Sequence, residues 1–557
     1  MIRLFAENKK RSVRLLDGPW LFITDGENRG LENGWHKSIP SGCRNTFIPS
    51  LWTCELGTFD YEGVAWYFRE VETAAKNAYF HFEAVTGQSD VFLDGKKMAS
   101  HYGSFTGFGF HADGIPCGKH LLAIRVDNTH NHKDTIPLAK VDWYHHGGIS
   151  RDVWLHEYDG AHIESLRISY QLSENAADVT AKVGLYSAEK RCENLRIFVE
   201  GAEAASCEVN IDGETEAVLS FKLSNIKRWS PENPSVYRIE AEITADGLAE
   251  TMGFRTIEAK DGKLLLNGER LIIKGVNRHE EHPDFGFALP AAIMQKDLAI
   301  IKQLGCNAIR ASHYANARLF LDMCDREGIL LWEEIPMWGF PEAALAEPLV
   351  LERGLMMHRE LVLRDINHPS IIMWGMHNEV DTFSKAAYKL TKAFAEQTRA
   401  MDSSRLLTMA THHPMIDICL PLIDVIGVNK YYGWYDGGLD KWPGFIDEFF
   451  AKLENEGVAD KPVIMSEFGA GGIPGVRGLE NQKWSEDYQA EYLDYTLGLF
   501  HSDERLSGSY IWQYCDIRVC KEKELERPRS FNNKGIFDEY RRPKLAVGAV
   551  KKHYKGK

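Results

Sequence analysis

The 557-residue sequence has no basic excess: 65 Lys and Arg face 80 Asp and Glu, a formal net charge of −15. Nucleic acid is therefore a poor partner, because no surplus cation is left to neutralise a run of phosphates. No window approaches 18 uncharged apolar residues, so a helical membrane span is excluded. The N-terminus, MIRLFAENKKRSVRLLDGPW, is broken by charges every few residues and carries no apolar signal core. Among the 10 cysteines no Cys-x-x-Cys occurs, and the nearest pairs, Cys43/Cys54 and Cys515/Cys520, have neither zinc nor redox spacing. Scattered thiols of this kind fit a reducing cytoplasm better than a disulfide framework. What is present is ordinary for a folded chain, 44% apolar and 26% charged, at a length that calls for two or three domains. Its 14 Trp, 21 Tyr and 27 Phe supply sandwich cores and also flat faces on which pyranose rings pack.

Residues 1–160 read as short strands, at 64–68, 78–82, 90–93 and 121–126, with Asp-Gly turns at Asp17-Gly18, Asp94-Gly95 and Asp113-Gly114. No long amphipathic helix interrupts them, which predicts an antiparallel sandwich. Residues 161–257 continue in strands, with Asp-Gly at 212–213 and 246–247, and predict a smaller immunoglobulin-like sandwich. From about Asp261-Gly262 strands alternate with long helical stretches. Eight strand candidates follow, at 271–275, 307–311, 329–335, 370–374, 406–410, 425–428, 462–465 and 508–512. Met294, Leu298 and Ile301 form a core-facing stripe on the helix between the first two. Eight βα units in about 300 residues predict a (β/α)8 TIM barrel. A doubly wound sheet would carry a Gly-rich first βα turn, and none is present.

Barrel enzymes carry their chemistry at the C-terminal ends of the strands. Those ends read Asn277-Arg278-His279-Glu280, Arg310 with His313, Glu333-Glu334, His377-Asn378-Glu379, Asn429 with Tyr431, Glu467, and Trp512 with Asp516. Glu379 after the fourth strand and Glu467 after the seventh face each other across the mouth, as the two carboxylates of glycoside hydrolysis must.

Trp374-Gly375-Met376-His377-Asn378-Glu379 and Ser466-Glu467-Phe468-Gly469 resemble the acid/base and nucleophile motifs of glycoside hydrolase family 2. The resemblance extends to Gly147-Gly148-Ile149-Ser150-Arg151-Asp152-Val153, to 275–280 and to 309–314, and so covers nearly the whole chain. One departure is Val380, where the family commonly has proline, a change in local rigidity rather than in reaction. The resemblance implies a jelly-roll, sugar-binding-like sandwich over 1–160, an immunoglobulin-like sandwich over 161–257 and a catalytic barrel over 258–557. It also implies a retaining exo-β-glucuronidase. Asn532-Asn533-Lys534-Gly535 resembles the segment that holds a uronate carboxylate, and an ammonium with an amide is suited to that charge. By the same resemblance Asp142, His279, Asn378, Tyr431, Tyr435 and Trp512 touch the substrate. Read alone, Lys534 is a solvated lysine, Asp142 a turn acceptor, Trp512 barrel core, and His279 a buried hydrogen-bonding partner.

The charged run 521–529 reads as a solvated loop, Arg529 included. His279-Glu280-Glu281-His282 lacks the spacing of a zinc protease, and no acidic cluster demands Mg²⁺, so hydrolysis is expected without metal or cofactor. The expected partners are small-molecule glucuronides, glucuronic-acid-capped saccharides and further copies of the chain, with no nucleic acid and no membrane. The alternatives are a β-galacturonidase or β-galactosidase of the same family, or a carbohydrate-binding relative without catalysis. The short connection 340–357 has too little reach to cover the mouth, which predicts an open aglycone side.

Overall fold

A computed structural model describes residues 10–555; the first nine residues of the charge-broken N-terminus lie outside them. The first sandwich packs a four-stranded sheet, in the order Ser12–Leu15, Val153–Tyr158, Asn77–Phe82, Phe108–Ala112, on a six-stranded one. Its strands alternate, as in Asn77–Phe82, where every second residue is buried, because one face of each sheet meets the core and the other does not. Asp94-Gly95 makes the expected hairpin turn, with both residues at positive φ, between Gln88–Leu93 and Lys96–Tyr102.

The next strands run from His162 to Met252 and include a hairpin of unusual length, Ala176–Val199 with Ala202–Ser224. Asp212-Gly213 does not close a hairpin. Gly213, at φ 65°, sits inside the second long strand, where the pairing breaks between Ser187 and Arg191. The glycine serves an irregularity in the pairing of the ribbon, which looks the same in sequence as a turn.

The barrel closes with eight parallel strands: β1 (Ile273–Asn277), β2 (Ala308–Ala311), β3 (Leu330–Glu334), β4 (Ile371–Asn378), β5 (Leu406–Thr411), β6 (Val425–Asn429), β7 (Val463–Phe468) and β8 (Leu506–Ile511). All eight expected strands are present, and β3 to β8 are buried along their whole length, as strands covered on both faces must be. Leu271 belongs instead to a small three-stranded sheet, 257–271, whose Ile257, Leu264 and Leu266 pack beneath the barrel. On the helix Ala291–Leu304, Met294, Leu298 and Ile301 are buried as the stripe required. Gly305 ends that helix at φ 91°, its N–H capping the carbonyls of Ile301 and Lys302. The 340–357 connection folds into the helix Glu342–Leu345 and the start of Pro348–Asp365.

The first sandwich does not merely adjoin the barrel. Phe105, Ile136, Leu138, Val141 and Trp143 enter the same hydrophobic cluster as the barrel residues Val276, Ile309 and Tyr314. Arg151 locks this junction. It donates to the carbonyls of Phe105 (2.8 Å) and Ala315 (2.7 Å) and to Glu280 (2.8 Å), with both side chains of the ion pair buried. Removing one partner of a buried pair typically costs about 3–5 kcal/mol. Arg151→Ala is therefore expected to bring forward, by that amount, the first transition in a urea titration that follows sandwich and barrel tryptophans. A midpoint unchanged from the parent would show that the apolar contacts alone hold the junction.

Candidate active site

Glu379 follows the last residue of β4, and Glu467 lies inside β7, one residue before its end. Both line a cavity of about 220 Å³ at the C-terminal mouth of the barrel, with Asp142, Trp338, Asn429, Tyr431, Tyr435, Trp512 and Lys534 in its wall. Two ends of this cavity differ in chemistry.

At the carboxylate end the organising group is Arg310, fully buried on β2. It grips Glu334 with two hydrogen bonds (3.0 and 2.9 Å) and lies 4.5 Å over the Trp332 ring. It also donates to Glu467 (2.8 Å), Asn378 (2.7 Å) and Asn277 (3.2 Å). The hydroxyl of Tyr431 donates to the other Glu467 oxygen at 2.7 Å. Glu379 accepts one bond, from the Asn429 amide at 2.9 Å; that amide also donates to Asn378 Oδ1, and Ser466 donates to Asn429 Oδ1. The Asn378 Nδ2 is buried with no partner among the described residues, a donor left for a ligand.

Burial pushes Glu467 up to about 7, with the charge of Glu379 adding to it against the pull of Arg310, His313 and Tyr431. Burial also raises Glu379. Two carboxyls in this relation share protons as a pair. Near neutral pH the pair keeps one, and it resides on Glu379, because Glu467 has a guanidinium and a phenol holding its ionised form while Glu379 has a single neutral amide.

At the other end positive charge is in surplus. Lys534, 3% exposed, donates to the Tyr435 hydroxyl at 2.6 Å and lies 4.7 Å over its ring. Among the described residues no carboxylate stands within ion-pair distance of its ammonium. Asp142 is claimed by Lys523 (2.6 Å) and Arg527 (3.3 Å). Burial would raise Asp142, but Lys523, Arg527 and Lys534 outweigh it and hold the carboxyl well below its usual range. The same balance holds the half-exposed Tyr435 phenol low: burial would raise it, and Lys534 and Arg527 prevail. Three cations thus surround one carboxylate.

The cavity wall contains six of the sequence-derived residues besides Glu379: Glu467, Asp142, Tyr431, Tyr435, Trp512 and Lys534. His279 and Asn532 stand behind it, and Asn378 is buried against the lining Asn429. His279 bonds Tyr314 at 3.3 Å and meets Trp512 edge-on, centroids 5.5 Å apart, so it supports the tryptophan instead of reaching the cavity; burial keeps it neutral. Asn532 accepts the Lys534 N–H at 3.3 Å and donates to Asp142 at 3.5 Å. Trp512 stacks on His313 and lines the cavity. The reading of 521–529 as a solvated loop is corrected: Lys523 is 8% exposed, and it and Arg527 turn inward to Asp142. Only tertiary placement of a carboxylate opposite them makes burial affordable. Arg529 instead pairs with Glu539 and Asp516. Arg310, Asn429 and Trp338 also belong to the site. Each stands at or just past a strand end, and Arg310 also lies in the 309–314 segment of the family resemblance.

The one group of metal-ligand type among the described residues, Asp322, Asp325 and His368, lies elsewhere. Its Asp325 accepts from the N–H and hydroxyl of Ser370, just before β4 begins, and so ties a helix to the opposite end of the barrel.

Comparison with known proteins agrees with this geometry. Residues 257–556 match the family described as "Glycosyl hydrolases family 2, TIM barrel domain", and 161–255 match "Glycosyl hydrolases family 2". A β-glucuronidase of Paenibacillus borealis is 26% identical over 98% of this chain and 97% of its own. A β-galacturonidase from Eisenbergiella tayi, solved bound to galacturonate, superposes with a TM-score of 0.93 at 34% identity, covering 100% of this chain and 99% of that one. A Ruminococcus gnavus β-glucuronidase in complex with uronic isofagomine superposes at 0.88 with 26% identity, covering 100% and 99%. With more than half its length inside the barrel model and full-length likeness to such enzymes, the chain belongs to glycoside hydrolase family 2 and is a glycosidase.

Proposed function

We propose that this glycosidase is a retaining exo-β-glucuronidase that releases terminal glucuronate. The observation that carries the uronate is the buried Lys534 ammonium, unpaired by any described carboxylate, in an end of the cavity where three cations face one acid. A ligand carboxylate supplies the missing counter-charge, whereas a neutral hexose leaves it stranded. In the proposed reaction Glu467 attacks the anomeric carbon while Glu379 gives its proton to the departing aglycone oxygen. Glu379, now ionised, takes a proton from water, and that water breaks the glycosyl–Glu467 ester, returning both groups to their starting states. Asn378 Nδ2 is the donor suited to a sugar hydroxyl.

A second reading, a β-galacturonidase, is favoured by one observation: the E. tayi enzyme is more similar in sequence and superposes more closely than the R. gnavus one. Both sugars present the C6 carboxylate, so the charge argument serves either. Parallel assays of 4-nitrophenyl β-glucuronide and β-galacturonide decide between them, and the galactoside, lacking the carboxylate, is expected to be turned over poorly.

The catalytic roles fix a pH profile. Activity needs Glu467 ionised and Glu379 protonated, so kcat/KM is expected to be bell-shaped. It falls as rising pH strips the pair's last proton from Glu379, which burial holds above the ordinary carboxyl range, and falls again as acid neutralises Glu467. Glu379→Gln, tested on an aryl uronide with a good leaving group, should lose the alkaline limb and keep the acidic one. An alkaline limb unmoved by the substitution would take the acid role away from Glu379.

Lys534→Ala is expected to cut kcat/KM on the glucuronide by about two to four powers of ten, the kinetic equivalent of about 3–5 kcal/mol, and to leave slow glucoside turnover nearly unchanged. Equal losses on both substrates would make Lys534 a structural residue.

None of the residues lining the cavity comes from 340–357, whose chain is spent on helices. Glucuronic-acid-capped disaccharides should therefore be hydrolysed with kcat/KM within about tenfold of a small aryl glucuronide. Loss of the disaccharide activity, in direct product analysis, would mean that another segment closes the aglycone side.

A further inference from the structure

A second cavity, of about 370 Å³, lies between the first sandwich and the barrel and is larger than the catalytic one. Three of its lining side chains carry buried polar atoms that find no hydrogen-bonding partner among the described residues: His146 Nε2, Glu281 Oε2 and Arg518 Nη1. His146 and Glu281 are each 5% exposed. Other polar atoms of the same residues are occupied, and His146 Nε2 faces Glu281 Oε1 across 3.9 Å, beyond hydrogen-bonding distance. Thr53 bonds His146 Nδ1 at 2.8 Å, the Arg518 N–H donates to Glu281 Oε1 at 3.2 Å, and Arg518 Nη2 bonds Asp60 (2.8 Å) and Glu524 (3.3 Å). Each orphaned atom is therefore held in place by bonds made on the rest of its own side chain.

The orphan set defines the ligand chemistry. Arg518 Nη1 can only donate, a carboxylate Oε2 can only accept, and an imidazole nitrogen does either. A cation satisfies Glu281 and is repelled by Arg518. An anion meets three carboxylates, Asp60, Glu281 and Glu524, close to Arg518. Hydroxyl groups serve both orphans at once, because each donates and accepts. The aromatic lining, Phe59 with Arg518 stacked 3.9 Å from its ring centre and Phe531 on the barrel side, offers flat apolar surface for the C–H face of a pyranose. The volume falls in the range of small-molecule sites, roughly 300–1,000 Å³.

We propose that this cavity is an accessory binding site for a neutral saccharide unit, separate from the catalytic cavity. The segment 518–531 gives Arg518, Glu524 and Phe531 to the new site while its Lys523 and Arg527 hold Asp142 in the catalytic one. A sugar bound here thus rests on the same loop that builds the uronate end.

The test is calorimetric titration of the full-length protein, in its Glu467→Ala form to prevent turnover, with methyl β-glucoside, methyl β-galactoside, methyl β-mannoside and methyl β-xyloside. At least one is expected to bind at millimolar or better affinity. Phe59→Ala, a change at a half-exposed loop residue that leaves the fold intact, and Glu281→Gln should each weaken that binding at least fivefold. Lys534→Ala should leave it unaltered, which separates this site from the catalytic cavity whatever sugar the enzyme hydrolyses. Absence of binding by all four glycosides, binding indifferent to Phe59→Ala and Glu281→Gln, or binding lost with Lys534→Ala would each overturn the proposal.

Discussion

The site depends first on one buried guanidinium. Arg310 is fully buried, so its charge must be met by fixed groups, and Glu334 and Glu467 meet it from two directions. Glu334 on β3 orients the fork, with His313 bonding the same carboxylate at 2.6 Å. What remains of the fork is then aimed at Glu467 and Asn378, residues of β7 and β4 that are far apart in sequence. The arrangement makes the two carboxyls chemically unequal. It lowers the cost of charge on Glu467 and leaves Glu379 in an environment that favours its proton.

The second constraint is that the barrel does not hold the cavity alone. The sandwich segment that carries Asp142 also carries Val141 and Trp143, which are buried in the barrel's own cluster. Apolar burial thus places a carboxylate where the barrel supplies Lys523, Arg527 and Lys534. Without Asp142 these cations would repel one another at short range, and without them Asp142 would be costly to bury. One carboxylate tolerates the three cations and does not balance their charge.

Much of the fold was legible because its patterns are local. Alternating burial in Asn77–Phe82 and unbroken burial in Leu330–Glu334 follow directly from one-sided and two-sided sheets. The stripe of Met294, Leu298 and Ile301 needs only helical spacing. The two carboxylates were legible through their motifs and their place after the fourth and seventh strands. Less legible were features whose meaning depends on a partner. Asp212-Gly213 has the composition of a turn and serves a break in the pairing of a long ribbon, where Gly213 takes a positive φ as it would in a turn. His279 sits at a strand end, as Arg310 does, yet it faces Tyr314 and Trp512 and not the cavity.

The sequence by itself therefore determined the strands and the barrel and pointed to the two carboxyls and Lys534 that the fold brings to one cavity, since hydrophobic period and short motifs are written in neighbouring residues. Tertiary structure alone decided which of the remaining charges count. Within the run 521–529, Lys523 and Arg527 turn to Asp142, some 380 residues away, while Arg529 turns to Glu539 and Asp516. Nothing in the local composition distinguishes them. A charge can be buried only where its counter-charge waits, and that location is set by the packing of sandwich on barrel.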